Sequence, residues 1–163
     1  MSGVALFLAL LLAGSAAHKA LARDRLSHSA ARLVGGTAFA GTLALLLAGT
    51  FEMLAAMALV ITPLRAVGAL LAAGIWVAYA VALLRRKGET LDCGCDLSSR
   101  AHPVGWFAIL RPVVLAAVAL AVATLPTFHW TYDAPFAAAA MLALYLAASE
   151  LGAVSSHKKG ITG

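Results

Sequence analysis

A series of uncharged apolar stretches constrains this chain more than any other feature of its sequence. The stretches run over residues 2–17, 33–51, 66–84, 112–132 and 134–149. Several approach the roughly 20 residues that an α-helix needs to cross the hydrocarbon core of a bilayer. Hydrophobic residues make up 63% of the 163 residues, and charged residues only 12%. The pattern therefore predicts an integral membrane protein with roughly four or five spans.

Lipid also restricts the conformation that these stretches adopt. Backbone amides cannot stay unpaired inside a bilayer, so spans form either helices or closed barrels. The sequence lacks the alternating ten-residue pattern of barrel strands, and its many alanines and glycines favour close helix packing. We therefore predict an all-α fold, a transmembrane helical bundle that uses residues 1–163 as a single domain. Any soluble catalytic partner would be a separate protein.

Local signals place the predicted segments. Residues 14–17 are small, as at a signal-peptide cleavage site, but no Lys or Arg precedes the apolar run, which favours a retained helix. The basic linker 19–32 is expected to lie as an amphipathic turn along the membrane surface. Proline disfavours helix at the preceding residue, so the second segment should end near Thr62. The predicted segments are residues 4–21, 38–61, 64–84, 103–125 and 135–150.

The basic residues lie at the ends of the apolar segments. Membrane proteins keep such residues there as topological anchors, so the net charge of +5 does not indicate nucleic-acid binding. With five spans, the positive-inside bias puts the N-terminus outside and the loop around residues 86–103 on the cytoplasmic side. The residues counted on the cytoplasmic side are Lys19, Arg23, Arg25, Arg32, Arg85, Arg86, Lys87, Arg100, Lys158 and Lys159, against Arg65 on the other.

The only two cysteines lie one residue apart in that loop, within the sequence Asp92-Cys93-Gly94-Cys95-Asp96. Gly94 relaxes the backbone limits on the small ring that a disulfide between them would close. Such a bond would be strained, and strain makes a disulfide easier to reduce. The pair is thus better suited to thiol–disulfide exchange than to structural stapling, and we predict Cys93 and Cys95 as catalytic residues of a thiol–disulfide oxidoreductase.

Two other interpretations of the cysteines stay open. Two thiolates suit a soft metal ion, with His102 or the neighbouring aspartates as further ligands. A closed zinc site needs a full tetrahedral set, however, and the chain has no second cysteine pair, so we assign no metal site. In the third interpretation the protein is a structural membrane subunit without chemistry of its own.

Ionisable residues inside the apolar segments are further candidates, because such groups are costly in lipid and commonly functional. Glu52 lies in the second segment and Arg111 in the fourth, at depths that allow an ion pair between neighbouring helices. His18 and Lys19 fall near the inner end of the first. We therefore predict a polar cluster of His18, Lys19, Glu52 and Arg111 beneath the cysteine loop. It would either fix helix register or serve as a proton relay or quinone site.

These residues together resemble the methylamine utilisation protein MauE family of MauE/DoxX-like membrane proteins. The matching features are Lys19 after the first segment, Glu52 in the second, the sequence Leu-Asp-Cys-Gly-Cys at residues 91–95, and Arg111 at the start of the apolar run in the fourth. The likeness covers about residues 6–125. Where the family commonly continues with Phe-Gly, this chain has Asp96-Leu97, which leaves the subfamily open.

The resemblance implies a membrane protein that works with a thioredoxin-fold partner on disulfides during maturation of a secreted client enzyme, as inferred for the methylamine dehydrogenase small subunit. It implies no metal. Electrons would pass between that partner and either quinone or another thiol carrier, and no cofactor other than quinone is expected. The resemblance places the thiols on the extracytoplasmic side of the cell membrane, whereas the charge bias places them in the cytoplasm.

Overall fold

The computed structural model of the chain describes residues 2–88, 90–91, 102–103, 105–125 and 131–159, and its side chains at 2–32, 35–88, 105–125 and 131–149. The fold is all-α, as predicted. Its helices are α1 (Ser2–Leu21), α2 (Arg23–Val34), α3 (Ala38–Val60), α4 (Arg65–Arg85), α5 (Trp106–Thr124) and α6 (Ala134–Lys159), with a 3₁₀ turn at Thr62–Leu64 and two short strands, β1 (Thr90–Leu91) and β2 (His102–Pro103).

Within the described residues, four helices are long and apolar enough to cross a membrane. They are α1, α3, the unit Thr62–Arg85 and α5, and α6 adds a shorter apolar stretch, Ala134–Ser149. The chain is therefore a multi-pass membrane protein. The predicted segments agree closely with these bounds, except that α5 begins at Trp106 rather than at Pro103, because Pro103 pairs in a short ladder with Thr90.

The expectation of a surface turn between the first two spans is wrong, because residues 23–34 form a helix. Backbone hydrogen bonding continues from α1 into α2, since the Ala22 amide bonds to the His18 carbonyl at 2.9 Å and the Leu26 amide to the Ala22 carbonyl at 3.0 Å. α2 ends at Gly35, whose φ of 67° is in the left-handed region that favours glycine. Thr37 then caps α3.

The α1–α2 unit packs against α3 as an antiparallel pair. At one end Gly41 of α3 touches the backbone of α2, where an added Cβ would lie 2.5 Å from the Ala31 nitrogen and closer still to the Ser27 carbonyl. Further along, Lys19 of α1 contacts Glu52 of α3. The lack of a side chain at Gly41 is thus what lets α2 lie directly on α3.

The buried centre of the bundle lies among α1, α3, α4 and α5, with α6 packed against α1. Small residues such as Ala55, Ala69, Ala72 and Ala119 are almost fully buried there, which brings the helix backbones close together. Trp76 is only 5% exposed and so is part of this core rather than an interfacial anchor. Large apolar side chains on the outside face lipid: Phe39, Leu47, Met57, Leu70, Leu110 and Phe136.

Helices α4 and α5 form a hairpin whose neck is the β1–β2 ladder, with Thr90 opposite Pro103 and Leu91 opposite His102. The neck is tied to its surroundings on both sides. The Arg86 guanidinium donates to the Arg32 carbonyl at 2.7 Å, near the end of α2, and the Lys87 ammonium lies 3.9 Å from the centroid of the Trp106 ring. The ends of α2 and α4 and the start of α5 therefore meet at one end of the bundle.

Replacing Gly41 by Ala tests the close approach of α2 to α3. The added methyl group meets backbone atoms, so we expect a loss of about 1–3 kcal/mol in the free energy of unfolding, seen as a lower melting temperature in detergent. Gly49→Ala in the same helix is the control, since its Cβ meets no atom within 4 Å, and helix propensity should stabilise it by up to about 1 kcal/mol. Equal melting temperatures for the two variants would contradict this packing.

Candidate functional site

A buried ion pair joins the first two long helices. The Lys19 ammonium on α1 donates to both carboxylate oxygens of Glu52 on α3, at 2.8 Å to Oε1 and 3.0 Å to Oε2. The two side chains are only 4% and 1% exposed. Because charges of both signs are withdrawn from solvent together, each ion supplies the compensation that the other needs.

Two further side chains complete a polar cluster, the Glu52 cluster, defined here as Ser15, Lys19, Glu52 and Tyr79. Ser15 Oγ donates to Glu52 Oε1 at 3.0 Å and accepts from Lys19 Nζ at 2.6 Å. The Tyr79 hydroxyl of α4 donates to the same carboxylate oxygen at 2.6 Å, and the Tyr79 ring lies 5.2 Å from Lys19 Nζ. The cluster thus bonds three helices to one another.

Sequence spacing accounts for this arrangement. Ser15 and Lys19 are one helical turn apart, so both present their polar atoms on the same face of α1. Tyr79 lies about 9 Å before Arg85 along α4, at about 1.5 Å per residue. The three hydrogens of the Lys19 ammonium match its three acceptors, Ser15 Oγ and the two Glu52 oxygens.

The ion pair expected between Glu52 and Arg111 is wrong, because in the described part of the chain Glu52 pairs with Lys19. α1 packs directly on α3, and Lys19 reaches the carboxylate from that neighbour. The Arg111 guanidinium lies against aromatic rings instead, 4.7 Å from the centroid of Tyr145 and 6.0 Å from that of Phe107. Of the four predicted cluster residues, the structure therefore brings Lys19 and Glu52 together.

His18, next to Lys19, is half-buried in the last turn of α1. Its Nε2 atom is buried and has no hydrogen-bond partner among the described residues. The sequence analysis missed Ser15 and Tyr79. A hydroxyl one turn from Lys19 and a phenol inside an apolar helix are the signals that would have indicated them.

Two apolar grooves flank α3 at the level of the Glu52 cluster. One lies between α1 and α3, has a volume of about 410 Å³ and includes Lys19 and Arg23 in its lining. The other lies between α3 and α4, has a volume of about 500 Å³ and includes Tyr79. Side chains of the cluster are thus reached from the lipid-facing surface on both sides of α3.

Cys93 and Cys95 lie outside the described residues. The structure describes the ladder that begins and ends their loop, at residues 90–91 and 102–103. Within the part of the chain that is described, His, Cys, Asp and Glu side chains do not gather in groups of three or more that would hold a metal ion.

Comparison with known proteins shows which family this chain is similar to. A family model described as methylamine utilisation protein MauE matches residues 1–128. A curated protein of Paracoccus denitrificans, named methylamine utilization protein MauE, is 40% identical over 114 residues, which cover 64% of this chain and 61% of that relative. The match thus spans about 61% of the relative's length. No solved structure matches the chain.

Removing one ion of the buried pair should be strongly destabilising. Lys19→Met leaves Glu52 charged in an apolar interior, and we expect a loss of about 3–5 kcal/mol in the free energy of unfolding. The double variant Lys19→Met/Glu52→Gln removes both charges and should recover much of that loss. Lys87→Met is the control, because this exposed lysine contacts one ring and should cost about 1 kcal/mol or less. Additive effects in the double variant, measured by thermal unfolding in detergent, would contradict the pairing.

Proposed function

This chain belongs to the methylamine utilisation protein MauE family, and on that premise we propose that it is a membrane redox-accessory protein. Its Cys93 and Cys95 exchange thiols and disulfides with a thioredoxin-fold partner. The exchange supports disulfide formation in a secreted client enzyme. The observation that carries the proposal is the position of the only two cysteines of the chain, one residue apart in the sequence between the paired strands β1 and β2.

The chemistry is a two-step exchange. A thiolate of the reduced partner attacks the Cys93–Cys95 disulfide, which forms a mixed disulfide and releases one cysteine of this chain as a thiol. The second thiol of the partner then attacks the mixed disulfide. The partner ends as a disulfide, and this chain holds the two electrons and two protons as a dithiol. Quinone, which would become quinol, or the disulfide form of another thiol carrier, which would become a dithiol, would accept them and restore the disulfide of this chain.

The described part of the structure supports a role for the helices in positioning the two ends of this loop. The ladder between residues 90–91 and 102–103 brings the two ends of the loop together. Arg86 and Lys87, just before the loop, are held by the Arg32 carbonyl and by the Trp106 ring. Cations at this end of the bundle would favour the thiolate form of a nearby cysteine, whereas the carboxylates of Asp92 and Asp96 beside the cysteines in the sequence would oppose it.

We assign the Glu52 cluster to positioning rather than to proton relay. Lys19 already donates to Ser15 and to both oxygens of Glu52, and Tyr79 donates to Glu52 as well. Bonds of this kind join α1, α3 and α4 in one register beneath the end of the bundle that carries the loop. A relay or quinone role would require Glu52 to release and take up a proton during turnover.

The two assignments of the cluster differ in a measurable way. Glu52→Gln keeps an oxygen acceptor for Tyr79 but loses the titratable carboxylate, and Tyr79→Phe removes one bond to it. If the cluster positions helices, both variants should lower the melting temperature while the rate of thiol exchange per folded molecule changes by less than about threefold, a difference of under 1 kcal/mol in barrier. If instead the rate of thiol exchange per folded molecule falls about a hundredfold or more in Glu52→Gln and not in Tyr79→Phe, the result would favour the proton relay. Tyr132→Phe, at a fully exposed phenol, is the control.

The cysteine proposal is tested by trapping the mixed disulfide. With Cys95→Ser the Cys93 thiolate can still attack the disulfide of the oxidised partner, but this chain has no second thiol to complete the exchange. The mixed disulfide between Cys93 and the thioredoxin-fold protein should therefore accumulate in cells treated with acid before lysis. Cys93→Ser tests the reciprocal assignment, and the variant with both serines is the control that should trap nothing.

Client oxidation provides a second readout for the same variants. We expect each serine variant to lower the fraction of oxidised client enzyme to the level of the double variant. Unchanged client oxidation together with lost metal uptake or metal resistance would indicate soft-metal handling instead, and no change in any of these would indicate a structural subunit.

We further propose that the protein lies in the cell membrane with the cysteine loop on the side where the thioredoxin-fold partner works. Family likeness puts that side outside the cytoplasm, and the clustering of basic residues near α2 and the hairpin neck favours the cytoplasm. Labelling of Cys93 and Cys95 with a membrane-impermeant maleimide, in intact cells first treated with a reductant that opens their disulfide, decides between them. Labelling before lysis requires an extracytoplasmic loop, and labelling only after lysis requires a cytoplasmic one.

A further inference from the structure

The groove between α1 and α3 has one apolar wall and one charged end. On α3 its lining includes Leu46, Gly49 and Met53, and on α1 it includes Ala16 and Ala20. The small residues leave the space open, and a Cβ added at Gly49 would meet no atom within 4 Å. The groove therefore offers a chain-sized apolar surface on the lipid-facing side of the bundle.

Its charged end is supplied by Arg23, at the start of α2. Lys19 also lines the groove, but its ammonium is already shared among Ser15 and the two oxygens of Glu52. Arg23 is exposed, and in the described part of the chain no carboxylate lies within 4.0 Å of it. The neighbouring Asp24 projects about 100° further round the helix. One cation is thus free to bind an anion at the end of an apolar groove.

We propose that this groove is a binding site for an anionic phospholipid. The phosphate binds the Arg23 guanidinium, and an acyl chain lies along the α3 wall past Gly49. Charge complementarity selects the lipid class, because basic pockets between transmembrane helices attract anionic headgroups and a zwitterionic lipid would gain less from Arg23. The site depends on neither cysteine, so it is independent of the proposed redox function.

The groove on the other side of α3 provides an internal comparison. It is larger, about 500 Å³, and it also contains an open glycine, Gly74, whose added Cβ would meet nothing within 4 Å. Its lining residues include Tyr79 but no charged side chain. A lipid that entered this groove would therefore have no cation to bind, and preference for anionic lipid should not depend on it.

The test uses the purified full chain in detergent, with binding of phosphatidylglycerol and phosphatidylcholine titrated by native mass spectrometry. Arg23→Gln should weaken phosphatidylglycerol binding about fivefold and leave phosphatidylcholine binding unchanged. Gly49→Leu fills the groove and should weaken the binding of both lipids. The matched controls are Arg85→Gln, which removes an exposed cation elsewhere, and Gly74→Leu, which fills the other groove. Neither should change the preference for phosphatidylglycerol.

Three results would overturn the proposal. The first is an equal effect of Arg23→Gln and Arg85→Gln, which would mean that the preference comes from overall charge. The second is unchanged lipid binding in Gly49→Leu, and the third is equal affinity of the wild-type chain for the two lipids. Helix content and melting temperature in lipid-free detergent establish that each variant is folded. Met53→Trp fills the groove from another position and replaces Gly49→Leu if that variant does not fold.

Discussion

The structure depends on the neutralisation of one buried carboxylate. Glu52 lies inside a long apolar helix, where an unpaired charge is costly, and the Lys19 ammonium supplies the opposite charge from the neighbouring helix. The same carboxylate accepts bonds from Ser15 and Tyr79, so a single residue links three helices. In lipid, where apolar contact alone does not specify how helices align, directional polar bonds of this kind determine which faces meet.

The fold was largely predictable, and the partners of the polar residues were not. Hydropathy gave the spans because crossing lipid requires both length and uniform apolarity, and Pro63 indicated the boundary between α3 and α4. Helix α2 was missed because it is polar and lies between two membrane spans, where hydropathy gives no signal, although its amphipathic pattern is typical of a helix. Depth along two helices suggested that Arg111 and Glu52 pair, but depth carries no information on rotation about the helix axis. That rotation turns Arg111 toward Tyr145.

Scaffold and chemistry lie in different parts of the chain. The helices meet around small buried residues and the Glu52 cluster. The proposed redox chemistry, in contrast, belongs to a loop outside the membrane-spanning segments. This division explains why the sequence predicted the helices better than it predicted the reactivity of the cysteines. Lipid constrains helices strongly, and their placement follows from composition. The reactivity of a thiol pair depends on local distances and charges, which composition does not contain.

The bond from Arg86 to the Arg32 carbonyl joins two parts of the chain that are distant in sequence. One is the short helix that connects the first two spans, and the other is the residue where the third span gives way to the cysteine loop. A cation beside the C-terminal end of a helix also offsets the negative end of its dipole. The connection between the first two spans and the base of the cysteine loop are therefore held side by side at one end of the bundle, by a bond that does not involve the bundle interior.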